Sequence, residues 1–179
     1  MAKLNINQME RKMTKLIRKI EREIENLDLK LLVVSMFISF FVAYIGSTFT
    51  IIDSWYEAIK PSITPPSFVF PIVWTILFFL IGFAFYFSFK FFRKDEQTKL
   101  GALYSINFIL NIAWSFFFFT MHNTLFAFGV IVLLVLSTFC LIFANWKKAR
   151  IASYLFIPYL IWLFFAGILN IIIVINILK

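Results

Sequence analysis

The sequence is poor in the residues that most chemistry requires. It has one histidine, His122, and one cysteine, Cys140, in 179 residues, and five long stretches contain no Asp, Glu, Lys or Arg. One cysteine excludes an intramolecular disulfide, and a distant His–Cys pair does not make a metal site. The serines have no base to activate them, and there is no glycine-rich phosphate loop. These absences disfavour hydrolases, metalloenzymes, phosphoryl-transfer enzymes and ion-coupled transporters, which place ionisable groups at membrane depth.

Apolar and aromatic residues are abundant instead. The chain is 62% hydrophobic and 21% aromatic, with a mean hydropathy of +0.92, whereas soluble domains are about 45–50% apolar. An apolar stretch of about 20 residues crosses a bilayer core as a helix, and the stretches lack the short alternation of barrel strands. The predicted fold is an all-α integral membrane protein, a five-transmembrane-helix bundle within residues 31–179. The predicted spans are 31–50, 69–89, 102–121, 124–145 and 151–178.

The net charge is +8, and the positions of the basic residues indicate the topology of the chain in the membrane. With five spans, 15 of the 17 Lys and Arg residues lie on one side, before the first span or in the second-to-third and fourth-to-fifth connections. The positive-inside rule then places the N-terminus in the cytoplasm and the C-terminus outside. This distribution disfavours a nucleic-acid partner.

Residues 1–30 form a separate charged extension. Apolar residues recur at steps of four and three between Lys, Arg and Glu, which predicts an amphipathic cytoplasmic helix. They are Met9, Met13, Leu16, Ile20, Ile24 and Leu27. It would lie on the anionic inner leaflet, form a short coiled coil in a dimer, or stay flexible.

The third predicted span carries a polar stripe. Asn107, Asn111 and Ser115 recur every four residues, with Trp114 beside them. Amides in hydrocarbon need partners, so one interpretation is hydrogen bonding between helices, at about 0.6 kcal/mol each. That interpretation also applies to Asn176 in the fifth span.

Indoles and a second polar stripe favour a different interpretation. Trp162, Ala166 and Asn170 share one face of the fifth span, and Trp74 lies near the start of the second. A cavity lined by indoles with a few orienting amides is typical of small-molecule sites. It would suit a flat aromatic or polycyclic ligand.

The segment 55–74, WYEAIKPSITPPSFVFPIVW, contains four of the five prolines. Proline fixes φ and lacks a donor, so the connection is not a continuous helix and loses little entropy on ordering. Four aromatic residues flank this connection: Trp55, Tyr56, Phe68 and Phe70. We expect a stiff lid over the mouth of the bundle.

These segments resemble the TspO/translocator protein family, also called peripheral benzodiazepine receptors. WYEAIKPSITPPSFVFPIVWTILFFLIG resembles the family's first loop and second helix, and GSTF (46–49) precedes it. LNIAWSFFFF (110–119) and PYLIWLFFAGILN (158–170) follow in the family's order. The resemblance covers about residues 40–178.

The resemblance implies a five-helix bundle, often dimeric, with a pocket under the first loop. It implies a receptor in a bacterial cell membrane for porphyrins, such as protoporphyrin IX or haem, and for benzodiazepine-type ligands, linked to tetrapyrrole regulation and stress response. The porphyrin is a ligand, no cofactor is required, and the partners are the lipid bilayer and a second copy. With Trp114 added from the helical spacing, the candidate ligand-binding residues are Tyr56, Trp74, Asn111, Trp114, Trp162, Ala166 and Asn170.

The sequence leaves three alternatives open. One is light-dependent porphyrin degradation, in which Trp74 and Trp162 exchange electrons with the excited macrocycle. Another is transport of a porphyrin or lipid across the bilayer. The third is a partner-binding protein that acts through residues 1–30.

Overall fold

The computed structural model describes Met13 and residues 27–178, and these contain helices and no strand. The elements are α1 (Leu29–Thr48), α2 (Ser54–Ile59), α3 (Val69–Phe91), α4 (Lys94–Ser115), a π-helical segment (Phe116–Thr120, the π segment), α5 (Thr124–Asn145) and α6 (Arg150–Ile177). The predicted all-α bundle is confirmed. The amphipathic helix predicted within residues 1–30 lies outside the described residues, apart from Met13 and residues 27–30.

Within the described part of the chain, five helices are long and apolar enough to cross a membrane: α1, α3, α4 with the π segment, α5 and α6. Their outer faces carry large apolar side chains, among them Phe37, Ile109 and Phe143, which are 65–72% exposed. An apolar surface of this extent is stable against lipid and not against water. The protein is therefore a multi-pass integral membrane protein.

Side chains set two of the helix starts. Helix α5 has the predicted bounds 124–145, whereas the other spanning helices differ from the predicted spans at one end or both. Asp28 Oδ1 accepts from Leu31 N at 3.0 Å where α1 begins, and Asn123 Oδ1 accepts from Phe126 N at 3.1 Å where α5 begins. Helix α4 starts at Lys94 rather than at position 102. Its first turn is acidic, which favours a helix N-terminus, so the helix extends beyond its apolar part.

Small residues allow close packing of α1 against α3. A Cβ at Gly82 would lie 2.7 Å from Met36 Sδ, and Ser39 Oγ donates to Phe78 O at 2.7 Å. Glycine and serine at helix contacts are typical of membrane bundles, in which packing and hydrogen bonds replace hydrophobic association. Helix α1 also contacts α4, α3 contacts α6, and α5 packs against both α4 and α6.

The bundle has two distinct ends. The loop end carries the connections 49–68 and 121–123, and the basic end carries 92–93 and 146–149. At the basic end, Asp28 N donates to Tyr86 Oη at 3.3 Å, so the start of α1 lies beside the end of α3. The two connections at this end are thus on the same side as the start of α1.

The core at the basic end is closed by a buried polar cluster. Ser88 Oγ donates to Asn145 Oδ1 at 2.7 Å and lies 2.8 Å from Tyr104 Oη. Asn145 Nδ2 donates in turn to Leu141 O at 2.8 Å. All three side chains are fully buried, so α3, α4 and α5 are joined here by satisfied hydrogen bonds.

Candidate ligand-binding site

A cavity of about 570 Å³ opens at the loop end. Helices α1, α3 and α6 and the α4–π segment form its walls, and α2 with the proline-rich segment covers it. We call residues 49–68 the lid. The lining is mostly aromatic and aliphatic, and its polar groups are amides, hydroxyls and the indoles of two tryptophans. None of the lining residues within the described part of the chain is charged.

Asn111 supplies the amide of one wall. It is only 6% exposed, and its Nδ2 donates to Tyr159 Oη at 3.1 Å. On α1, a Cβ at Gly46 would be in ordinary contact with α4, at 4.0 Å from Asn111 Oδ1 and 3.9 Å from Ser115 Oγ, in the space between the two helices. A side chain at position 46 would therefore extend into this space, which glycine leaves open.

Trp114 of α4 and Asn170 of α6 form a connected pair that joins two of the walls. Trp114 Nε1 donates to Asn170 Oδ1 at 3.4 Å, and Asn170 Nδ2 donates to Thr124 O at 2.9 Å. The Trp114 ring stacks on Phe118 with centroids 5.4 Å apart. Because both ends of its amide are bonded, Asn170 fixes the indole rather than offering a free polar group.

The tryptophans of α3 and α6 differ in position. Trp74 lines the cavity, next to Phe78 and 6.3 Å from the Tyr159 ring. Trp162 is not among the lining residues; its ring contacts Phe70, which does line the cavity, at 5.8 Å. Trp162 therefore contacts a residue of the lining and is not itself part of the lining.

The lid presents Tyr56 to the cavity. Asp53 Oδ1 accepts from Tyr56 N at 3.0 Å and begins α2. The Tyr56 ring is buried, with Phe119 at 5.6 Å and Phe118 at 6.3 Å. Burial, and secondarily the charge of Glu57, raises the pKa of the Tyr56 phenol. Tyr56 therefore stays protonated and able to donate a hydrogen bond.

Other lid residues take different positions. Thr64 lines the cavity, and its hydroxyl is buried without a hydrogen-bond partner. Trp55 stacks on His122, with centroids 4.0 Å apart, and Phe68 is exposed. Of the four aromatic residues expected to flank a lid, Tyr56 and Phe70 line the cavity and Trp55 and Phe68 do not.

Six of the seven candidate ligand-binding residues thus line one cavity, and Trp162 does not. Asn107 makes the bonds between helices that one interpretation expected, since its Nδ2 donates to Ser137 Oγ at 2.8 Å and to Thr138 Oγ1 at 3.1 Å. Asn176, to which the same interpretation applied, is exposed near the end of α6.

Sequence reasoning missed part of the lining. Phe118 and Phe119 face the cavity from the π segment, in which Phe116 O accepts from Met121 N at 2.9 Å. The run FFFF has no periodicity from which an orientation follows. Thr64 was also missed, although polar residues between prolines were a usable signal.

The cavity has the chemistry of a binding site. It offers aromatic faces, the uncharged polar atoms of Asn111, Ser115 and Thr64, and a phenol from the lid. The described residues contain no cluster of three His, Cys, Asp or Glu residues suited to a metal ion. Such a lining favours a flat, largely apolar guest.

Comparisons with known proteins confirm the family resemblance seen in the sequence. The profile of the TspO/MBR family matches residues 33–175. The chain is 39% identical over 133 residues to the tryptophan-rich protein TspO of Chlorobaculum tepidum, covering 72% of this chain and 84% of that protein. It is 34% identical over 143 residues to the TspO of Archaeoglobus fulgidus, covering 78% and 92%. It is 32% identical over 111 residues to the tryptophan-rich sensory protein of Cereibacter sphaeroides, covering 62% and 68%. The chain belongs to the TspO/MBR family.

Proposed function

We propose that the protein is a membrane sensor or receptor that binds porphyrins, such as protoporphyrin IX and haem, and benzodiazepine-type ligands in the cavity. Family membership and the sensory name of the Cereibacter sphaeroides relative support a membrane sensor. The observation that supports porphyrins and benzodiazepine-type compounds as ligands is the cavity. Its volume of about 570 Å³ lies within the range of about 300–1,000 Å³ for small-molecule sites, and the rings of Trp74 and Trp114 line it.

The lining also sets how a porphyrin would be oriented. A macrocycle face stacks favourably on indole and phenyl rings, which the inner cavity provides. Its propionates are anionic, and an unpaired charge is costly to bury. Because no charged side chain lines the cavity among the described residues, the propionate edge should lie at the mouth, near water and lipid headgroups.

A titration of protein in lipid nanodiscs with protoporphyrin IX in the dark tests this function. We expect saturable shifts of the porphyrin absorption band. Affinity should fall about twofold to tenfold in Trp74→Phe, as for the loss of one aromatic contact of about 0.5–1.5 kcal/mol, and also in Asn111→Ala. Trp146→Phe, at the exposed end of α5, is the matched control. Unsaturable shifts that are identical in all variants would mean that the porphyrin only partitions into lipid.

A second candidate function is light-dependent degradation of the bound porphyrin. The position of Trp74 at the cavity surface favours it, because an excited macrocycle takes one electron from an adjacent indole, leaving a porphyrin radical anion and an indole radical cation. Dioxygen is the co-substrate: it adds to the radical anion, and the adduct returns one electron to the indole radical cation, so the net change is addition of one dioxygen to the macrocycle. Loss of absorption under light should need dioxygen and should slow more in Trp74→Phe than in Trp162→Phe. Equal rates of absorption loss in the wild type and both variants would contradict degradation at Trp74, and porphyrin binding would be the function that remains.

We also propose that the loop end faces outward and the basic end faces the cytoplasm of a bacterial cell. The collection of basic connections at one end supports this orientation. In a Cys140→Ser background, a membrane-impermeant maleimide should label Ser62→Cys in the lid on intact cells. Lys147→Cys at the basic end should react only after lysis, and the reverse pattern would invert the topology.

A further inference from the structure

One acidic side chain ties the lid to the turn before α5. Asp53 Oδ1 caps α2 by accepting from Tyr56 N at 3.0 Å. The other oxygen, Oδ2, lies 3.4 Å from His122 Nε2. Asp53 therefore connects the helix that carries Tyr56 to a residue outside the lid.

His122 is held in a specific arrangement. Its φ of 51° is in the left-handed region, which non-glycine residues other than Asn, Asp and His seldom adopt. Its imidazole lies nearly parallel to the Trp55 ring, with an interplanar angle of 16° and centroids 4.0 Å apart. Its side chain is 39% exposed, so it exchanges protons with water.

The strength of this connection depends on the charge of the imidazole. Histidine is the side chain that ordinarily changes charge between pH 5 and 8. As an imidazolium, His122 makes a charge-assisted hydrogen bond to Asp53 and places a cation on the indole face of Trp55. The neutral form retains the stacking and only a weaker hydrogen bond.

Few other charges bear on this pair. Glu57 of α2 forms an ion pair with Lys60, which directly follows that helix. The π segment, the first turn of α5 and the described end of α6 contain no Asp, Glu, Lys, Arg or further His. Tyr56, which contacts the π segment, is protonated below its raised pKa. No other charged side chain of these described elements therefore takes part in the contact between His122 and Asp53.

We propose that His122 is a pH-dependent latch of the lid. Protonation holds α2, and with it Tyr56, over the cavity, and deprotonation loosens them. His122 is a positioning residue, because it acts on the cavity through Asp53 and Trp55. The latch itself requires no ligand. Its consequence, slower ligand release at acidic pH, rests on the proposed function.

Hydrogen exchange of the full-length protein in nanodiscs tests the latch without ligand. Amides of residues 53–60, corrected for intrinsic exchange, should open about twofold to fivefold less often at pH 5.5 than at pH 8, as expected for a partly exposed ion pair. Residues 94–100 at the basic end are the internal control and should show no pH difference.

Two conservative variants separate charge from structure. Asp53→Asn keeps a good helix cap, and His122→Asn tolerates the left-handed backbone, so both should fold. Each should lose most of the pH dependence, and the double variant should lose no more than either single variant, because the two residues act as one pair. A pH dependence that persists in both variants, or a lid that opens more often at pH 5.5, would overturn the latch.

Release of preloaded protoporphyrin IX is the second measurement. It should be about twofold to fivefold slower at pH 5.5 in the wild type and pH-independent in both variants. Saturable binding with pH-independent release would overturn the latch and leave the proposed function standing. A pH-dependent lid in a protein without saturable porphyrin binding would overturn the proposed function and leave the latch standing.

Discussion

The loop end and the basic end are built from the same long helices, and both contain buried amides, hydroxyls and aromatic rings. At the basic end, Ser88, Tyr104 and Asn145 satisfy one another. At the loop end, Asn111 faces open space and the Thr64 hydroxyl has no partner. The difference teaches that composition does not separate a packed core from a binding site, whereas the unfilled space and the one unpaired buried hydroxyl, that of Thr64, do.

The arrangement of large and small residues explains the difference in packing. At the basic end, Phe85 and Phe89 stack at 4.4 Å and Tyr104 packs against Phe156 at 5.7 Å, so rings fill the space between helices. At the loop end, Gly46 and the small Ala166 leave that space unfilled. Two alanines of α6, Ala152 and Ala166, therefore sit in opposite surroundings.

The largest expected effect comes from overfilling the packed end. Ala152 is fully buried, so Ala152→Phe forces neighbouring side chains from their positions and should lower the free energy of unfolding by about 1–3 kcal/mol or more. Denaturant titration in mixed micelles measures this loss. A variant as stable as the wild type would mean that the basic end has hidden free volume.

The same substitution at the loop end should change binding instead. Ala166 lines the cavity, so the ring of Ala166→Phe would occupy ligand space. Porphyrin affinity should fall at least about tenfold, or 1.4 kcal/mol, with a smaller change in unfolding free energy than Ala152→Phe causes. Unchanged affinity would place the ligand elsewhere.

Removal of a hydroxyl should also have opposite effects at the two ends. Tyr104→Phe leaves Ser88 with one partner fewer and should lower stability by about 0.5–1.5 kcal/mol. Thr64→Val removes a buried hydroxyl without a partner and should raise the stability of the ligand-free protein by up to about 1 kcal/mol. Thermal unfolding should show a loss of stability in Tyr104→Phe and a gain in Thr64→Val. A destabilised Thr64→Val would reveal a partner for that hydroxyl.

The smallest expected effect is at alkaline pH. Burial and Glu57 raise the Tyr56 pKa, so the folded protein holds this proton more tightly than the unfolded chain, whose tyrosines titrate near about pH 10. The contribution of this proton to the free energy of unfolding is fully present below about pH 10 and is lost as the pH rises through the folded-state pKa of Tyr56. Tyr56→Phe should lose less stability than the wild type between pH 9 and 11, and parallel losses would contradict this assignment.

Much of the fold could be predicted because the bilayer imposes a simple rule. A stretch without charges must be helical and about 20 residues long, and all five predicted spans correspond to helices. The start of α4 could not be predicted, because Asp95 and Glu96 favour helix outside the membrane, where hydropathy gives no signal.

The candidate site was predicted only in part, for a geometric reason. Residues four apart on an α-helix differ in direction by about 40°, so residues eight apart differ by about 80°. In α4, Asn111 and Ser115 face the cavity while Asn107 bonds to α5. In α6, Ala166 and Asn170 face it while Trp162 contacts Phe70 and is not part of the lining. The sequence defined the polar stripes of α4 and α6 without indicating which of their residues face the cavity.

The π segment has a genetic consequence. Its wide turn closes from Met121 back to Phe116, five residues apart where an α-turn would close over four. Removing one codon here could restore α-helical spacing and, at about 100° per residue, would turn Phe118 and Phe119 away from the lid. The same in-frame deletion in the middle of α5 would rotate half of a membrane-spanning helix against its neighbours. This short segment is thus a place where loss of a single residue would alter the shape of the cavity while the bundle below it persists.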